Sequence, residues 1–259
     1  MPTNIDQNLI LSLVVGAFVG ITSGYLGSIM VLKRMALVGD AISHVALPGM
    51  GIALAYNFNP FAGAFAALAL GILAVWGIQR RTAIATEAVV GLIFAASLAI
   101  GILITPEPEL LEALFGDISR VSLTDGILAI TFSVAIFIIM YFVRNKLVLG
   151  LISPDLAKTQ KINTDMLDLL FLAMVAIIVA LGLKVVGTLL MGALVVIPAI
   201  SAKNISRNLQ NYGLISLLLG ATSAIGGIAL SGLLNIPPGP TIVLASAFLF
   251  LLTLLAKRE

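Results

Sequence analysis

The chain has 259 residues, 60% of them hydrophobic and 10% charged, with a net charge of +2 and no cysteine. Soluble domains carry about 25% charged residues, so this composition, with a mean hydropathy of +1.17, belongs to a polytopic membrane protein. The missing cysteines exclude disulfides, thiolate metal sites and cysteine nucleophiles.

The first apolar segment, 9–32, follows a stretch from Met1 to Asn8 that lacks the basic start of a signal peptide, and it reads as a retained span. Gly16, Gly20 and Gly24 recur every four residues in it, a face that lets a second backbone approach closely. Lys33-Arg34 ends it, and a second segment, 37–56, runs to Asn57-Phe58-Asn59-Pro60. The third, 60–78, stops at Arg80-Arg81. The fourth, 84–104, carries Glu87 at its head, where an acid complements the helix dipole.

An acidic segment, 105–122, comes next, with room for a short surface helix over Glu109 to Phe115. The fifth apolar segment, 123–143, is closed by Arg144-Asn145-Lys146. The polar stretch 147–165 then predicts a short exposed helix, started by Pro154 behind Ser153 and stopped by Asn163. Such a helix is either a docking handle for a partner or a solvated connector.

Segments 166–183 and 185–202 are separated only weakly, near Lys184, and the alternative is one long tilted helix over 166–202 or a broken one. Segments 212–233 and 240–256 complete the chain, and small residues at Gly187, Gly192 and Ala193 near the seventh span and at Gly220, Ala224 and Gly227 in the eighth read as close-packing positions. The expected fold is all-α: one transmembrane domain over 1–259, a bundle of nine helices, or eight if 166–202 is a single helix.

Basic residues fix the expected orientation. With nine spans, Lys33, Arg34, Arg80, Arg81, Arg144, Lys146, Lys158, Lys161, Lys203, Arg207, Lys257 and Arg258 gather on one side, leaving only Arg120 and Lys184 elsewhere. The positive-inside rule makes that side cytoplasmic, with the N-terminus outside and the C-terminus inside.

The second segment holds the chemistry. Asp40 and His44, the single histidine, stand four residues apart, on one helix face and about 6 Å apart along the axis. Ionisable groups in hydrocarbon cost roughly 2.5–3.5 kcal/mol on insertion scales, so they commonly line a pathway. Pro48 removes the N–H that would bond the His44 carbonyl, and with Gly49 it predicts a backbone break beside the pair.

Carboxylate with neutral imidazole suits zinc, manganese or iron. Two side chains do not fill a coordination sphere, so a second copy, other helices or water would supply the rest. A structural histidine and a proton relay are the competing readings; the relay would make the chain a proton-coupled secondary transporter or an ion channel. No phosphate loop, nucleophile triad or nucleic-acid-binding pattern occurs, so the chain reads as a non-enzyme that holds no permanent cofactor.

The block Gly39-Asp-Ala-Ile-Ser-His-Val-Ala-Leu-Pro-Gly49 resembles the permease family of metal-ion ABC importers, the zinc/manganese/iron branch. Further blocks resemble it in order: Thr86 to Phe94, Phe115-Gly-Asp117, Asp155 to Asp168, Val185 to Ala199, and Ile236-Pro-Pro-Gly-Pro-Thr241.

The resemblance implies a homodimeric permease in the cell membrane, a separate cytoplasmic ATP-binding subunit and an extracytoplasmic metal-binding protein that delivers the ion. It matches Asp40 and His44 to the family's metal pathway. It matches the Ser153–Thr164 region, with Asp155, Lys158, Lys161 and Asn163, to the family's coupling helix. Histidine-rich loops common in zinc-dedicated members are absent, which leaves the metal open.

Overall fold

The computed structural model describes residues 3–82, 84–105, 114 and 122–256. All the regular structure among them is helical: α1 (Thr3–Leu32), α2 (Ala36–Ala55), α3 (Pro60–Arg81), α4 (Thr86–Ile104), α5 (Leu123–Ile152), α6 (Pro154–Thr159), α7 (Thr164–Val186), α8 (Thr188–Ile205), α9 (Leu209–Leu234) and α10 (Pro238–Leu255). Eight of these are long and apolar enough to cross a bilayer, and α8 contributes a shorter apolar run, Met191–Ile205. The acidic segment with its expected surface helix, and Lys257 and Arg258, lie outside the described residues.

Local chemistry explains several helix ends. Asn59 accepts a hydrogen bond from the Phe61 amide (2.9 Å) with Pro60 at the first helical position of α3. Ser122 and Asp125 form a reciprocal capping box on α5. The α1–α2 connection is a tight reversal: Arg34 takes a left-handed conformation (φ 57°) while the Met35 amide donates back to the Met30 carbonyl at 2.8 Å.

Three boundaries differ from the sequence expectation. α5 runs unbroken through Arg144-Asn145-Lys146 to Ile152, because basic residues mark where a helix leaves hydrocarbon and do not terminate it. The break in 166–202 is real but falls at Gly187, whose φ of 84° a glycine alone adopts freely. The short helix α6 ends at Thr159, with Lys161 left-handed (φ 56°) and the Ile162 amide bonded to the Ala157 carbonyl. Asn163 therefore starts α7 and does not stop α6; it accepts a hydrogen bond from the Met166 amide.

Packing sorts the helices into an inner and an outer set. α2 is the most enclosed span, 72% buried against 56% for α1 and 22% for α4. α3, α4, α7 and α8 pack around α2, while α1 lies along α9. On α1 and α9 the backbones nearly touch: a Cβ on Gly20 would sit 2.5 Å from the Gly220 carbonyl oxygen. The outward faces of α3, α4, α5 and α10 expose Leu70, Leu103, Phe142 and Leu244, the surface expected against lipid chains.

At the basic end, ion pairs tie α7 to two neighbours. Lys33 bonds the Asp168 carboxylate, and Arg80 Nε lies 3.4 Å from Asp165. Trp76 adds a hydrogen bond to the Asp165 carbonyl (3.1 Å).

Candidate functional site

Asp40 lies one turn into α2 and His44 one turn further, both facing protein. His44 is 4% exposed and Asp40 is half-buried. His44 Nδ1 stands 3.0 Å from the Asp40 backbone carbonyl. A carbonyl only accepts, so this contact calls for a proton on Nδ1; in the neutral ring the lone pair then falls on Nε2, the nitrogen that could face a cation. The ring is held edge-on against Phe94 of α4, with centroids 4.9 Å apart.

The Asp40 side chain meets α8. Gly192 makes room for it: a Cβ at 192 would lie 2.5 Å from Asp40 Cβ and 2.8 Å from its Oδ1. Ser43, fully buried between the two, has one proton and two carbonyl acceptors, Asp40 at 2.6 Å and Thr188 at 2.7 Å. His44 contacts residue 40 through the backbone, so the carboxylate is not used up in a pair with the imidazole.

The predicted break is absent. α2 continues as one helix through Pro48. Gly49 serves packing: its Cβ would stand 2.2 Å from the Gly63 carbonyl of α3. Among the described residues no three histidine or carboxylate side chains gather as a ready cage. A cation held at Asp40 and His44 would draw its other ligands from backbone, hydroxyls, water or a second copy.

The coupling candidates lie together at the far end of α5. Asp155 and Lys158 extend from α6 into solvent, 97% and 75% exposed, with a loose 3.9 Å contact between them. Lys161 and Asn163 are exposed in the following turn. Ala157 alone faces inward, fully buried, and Leu156 and Met166 add exposed apolar surface beside the charges.

Four residues of the site escape a reading of the sequence by local pattern: Ser43, Phe94, Thr188 and Gly192. Phe94 and the pair Thr188 and Gly192 sit in helices remote in the chain, and nothing in α2 reveals the register at which they meet it. Gly192 reads from the sequence as a packing residue only.

The family model described as the ABC 3 transport family matches residues 5–257. The chain belongs to that family, and it is an integral membrane protein of many helical spans.

Among its relatives, the high-affinity zinc uptake system membrane protein ZnuB of Haemophilus influenzae is 31% identical over 96% of this chain and 97% of its own length. The manganese import system permease protein ScaB of Streptococcus parasanguinis is 29% identical over 93% and 88%. Of solved structures, PsaBC from Streptococcus pneumoniae in complex with Fab superposes with a TM-score of 0.83 at 26% identity, covering 97% of this chain and 91% of that one.

Proposed function

We propose that this chain is the transmembrane permease subunit of an ABC importer that carries divalent transition-metal ions into the cytoplasm. Zinc and manganese are the cargoes named for its relatives, and iron fits the same donor chemistry. In this reading the chain works as a homodimer. A separate cytoplasmic ATP-binding subunit docks on α6 through Asp155, Lys158, Lys161 and Asn163, and an extracytoplasmic binding protein delivers the ion. The N-terminus is outside and the C-terminus cytoplasmic, with Lys33, Arg80 and Lys158 on the inner face.

The observation that carries the reading is the buried imidazole of His44, fixed through Nδ1 with Nε2 left available beside an uncommitted carboxylate. In each copy the two groups form half of a site, and a two-fold axis would double them. An incomplete sphere suits transport, because the ion must leave as readily as it arrives.

The test is uptake by the complex reconstituted in vesicles, with zinc, manganese and iron in competition. His44→Ala and Asp40→Asn should each abolish ATP-dependent uptake while the dimer still assembles. Wild-type uptake by either variant at matched expression would remove this pair from the path. Ion flux by the purified chain alone, driven by a pH gradient, would favour the proton-relay alternative.

A further inference from the structure

From the packing of α8 on α2 we infer that the hydroxyl of Thr188 is a further oxygen ligand on the cation path, level with His44. The inference rests on the transport reading above and extends it to a residue outside α2.

Thr188 is fully buried, and its Oγ1 has no hydrogen-bond partner among the described residues. Leaving a hydroxyl buried and unpaired costs roughly 1–3 kcal/mol, and such groups call for an explanation. Four other hydroxyls share this condition, those of Ser23, Ser133, Tyr212 and Ser223. Thr188 differs by position. Its own carbonyl accepts the Ser43 hydroxyl at 2.7 Å, and Ser43 precedes His44. Residues 188 and 192 share a face of α8, and Gly192 abuts the Asp40 carboxylate.

The face of α8 turned to α2 therefore offers, one turn apart, a gap filled by Asp40, its carboxylate included, and a buried hydroxyl with no partner among the described residues. α8 begins at Thr188, directly after the Gly187 break, so Thr188 stands at the first position of the helix.

A hydroxyl is a neutral, hard oxygen donor. Beside one carboxylate and one imidazole it adds a ligand without adding charge, which keeps the site weak enough to release its cargo. Hard oxygen matters more to manganese than to zinc, for which imidazole is already a good partner. Thr188 thus acts on affinity and on the balance between these two ions.

Valine has the shape of threonine without the oxygen, which makes the test clean. The assembled complex in vesicles is assayed with Mn²⁺ and with Zn²⁺, and the purified permease is melted in parallel. Thr188→Val should melt no lower than wild type, since it removes an unpaired buried hydroxyl. Its KM for Mn²⁺ should rise by about fivefold, the value of one lost neutral contact, and its KM for Zn²⁺ by less. Thr188→Ser, which keeps the oxygen, should stay within about twofold of wild type for both ions, on the same scale of contact energy.

A wild-type Mn²⁺ KM in Thr188→Val, alongside an inactive His44→Ala control, would overturn this inference and spare the transport reading. Equal losses in Thr188→Ser and Thr188→Val, both with lowered melting temperatures, would reduce Thr188 to packing. If Thr188→Val fails to assemble, Thr188→Ala is read in the same way. No divalent uptake by the wild-type complex would overturn the transport reading, and this inference with it.

Discussion

The seam between α1 and α9 and the seam between α2 and α8 are both made of small residues, yet they bury different things. Gly20 and Gly220 bring two backbones together, and the Ser216 hydroxyl closes the gap by bonding the Gly24 carbonyl. The result is a joint between rods with nothing between them. On α8, Gly192 admits a charged side chain together with the backbone that carries it: the half-buried Asp40, whose Cβ, Cα and Oδ1 would lie 2.5, 2.7 and 2.8 Å from an added Cβ, with Ser43 and Thr188 one turn away. The same residue type that welds one pair of helices shapes a polar seat in the other. A glycine stripe alone does not tell the two apart; what occupies the cleared space does.

Substitutions at the two seams should separate these roles. The largest effect belongs to Gly220→Val, whose Cβ would meet the Gly20 carbonyl at 2.2 Å with no flexible atom to yield. Overpacking on a fixed backbone should cost more than about 3 kcal/mol and leave little monodisperse protein by size-exclusion chromatography. A well-behaved Gly220→Val permease would show that this seam has slack.

Gly192→Ala is next. The added methyl presses on Asp40 Cβ and Cα, so assembly should survive at a cost of about 1–3 kcal/mol while metal uptake falls at least tenfold. Equal losses of uptake and of folded protein would make this seam a joint like the other.

Reversing the charges of Lys158 and Lys161 touches neither seam. It should leave the permease stable while weakening retention of the ATP-binding subunit in a pull-down by about tenfold, the scale of a few exposed interface charges. Undiminished retention would count against α6 as the docking helix. The smallest change is Arg34→Gly at the left-handed position between α1 and α2. It should stabilise the reversal by up to about 1 kcal/mol, read as a small rise in melting temperature.

The sequence makes the bundle legible because hydrocarbon imposes length and composition on every span. Breaks written in proline, asparagine and paired arginines, at Asn57 to Pro60 and at Arg80-Arg81, fall where helices end. The misplaced boundaries have a common cause: charge reports the water interface, whereas backbone conformation ends a helix. Arg144 to Lys146 lie in the interior of α5, and the turn after α7 sits at Gly187 and not at Lys184.

Pro48 illustrates a further limit, since removal of one amide does not break a helix clamped by Gly49 against α3. At the site, the spacing of Asp40 and His44 can be read from α2 alone. Their neighbours cannot, because pairing α2 with Gly192 and Thr188 requires a register between helices nearly 150 residues apart.

The uninterrupted run of α5 has a mechanical consequence. Thirty helical residues span about 45 Å, some 15 Å beyond the hydrocarbon slab, so its last turns form a rigid stalk. The stalk fixes the stand-off at which α6 meets whatever binds it. Adding or removing a single residue there would swing α6 by about 100° around the stalk axis, so the sense of rotation matters as much as the reach.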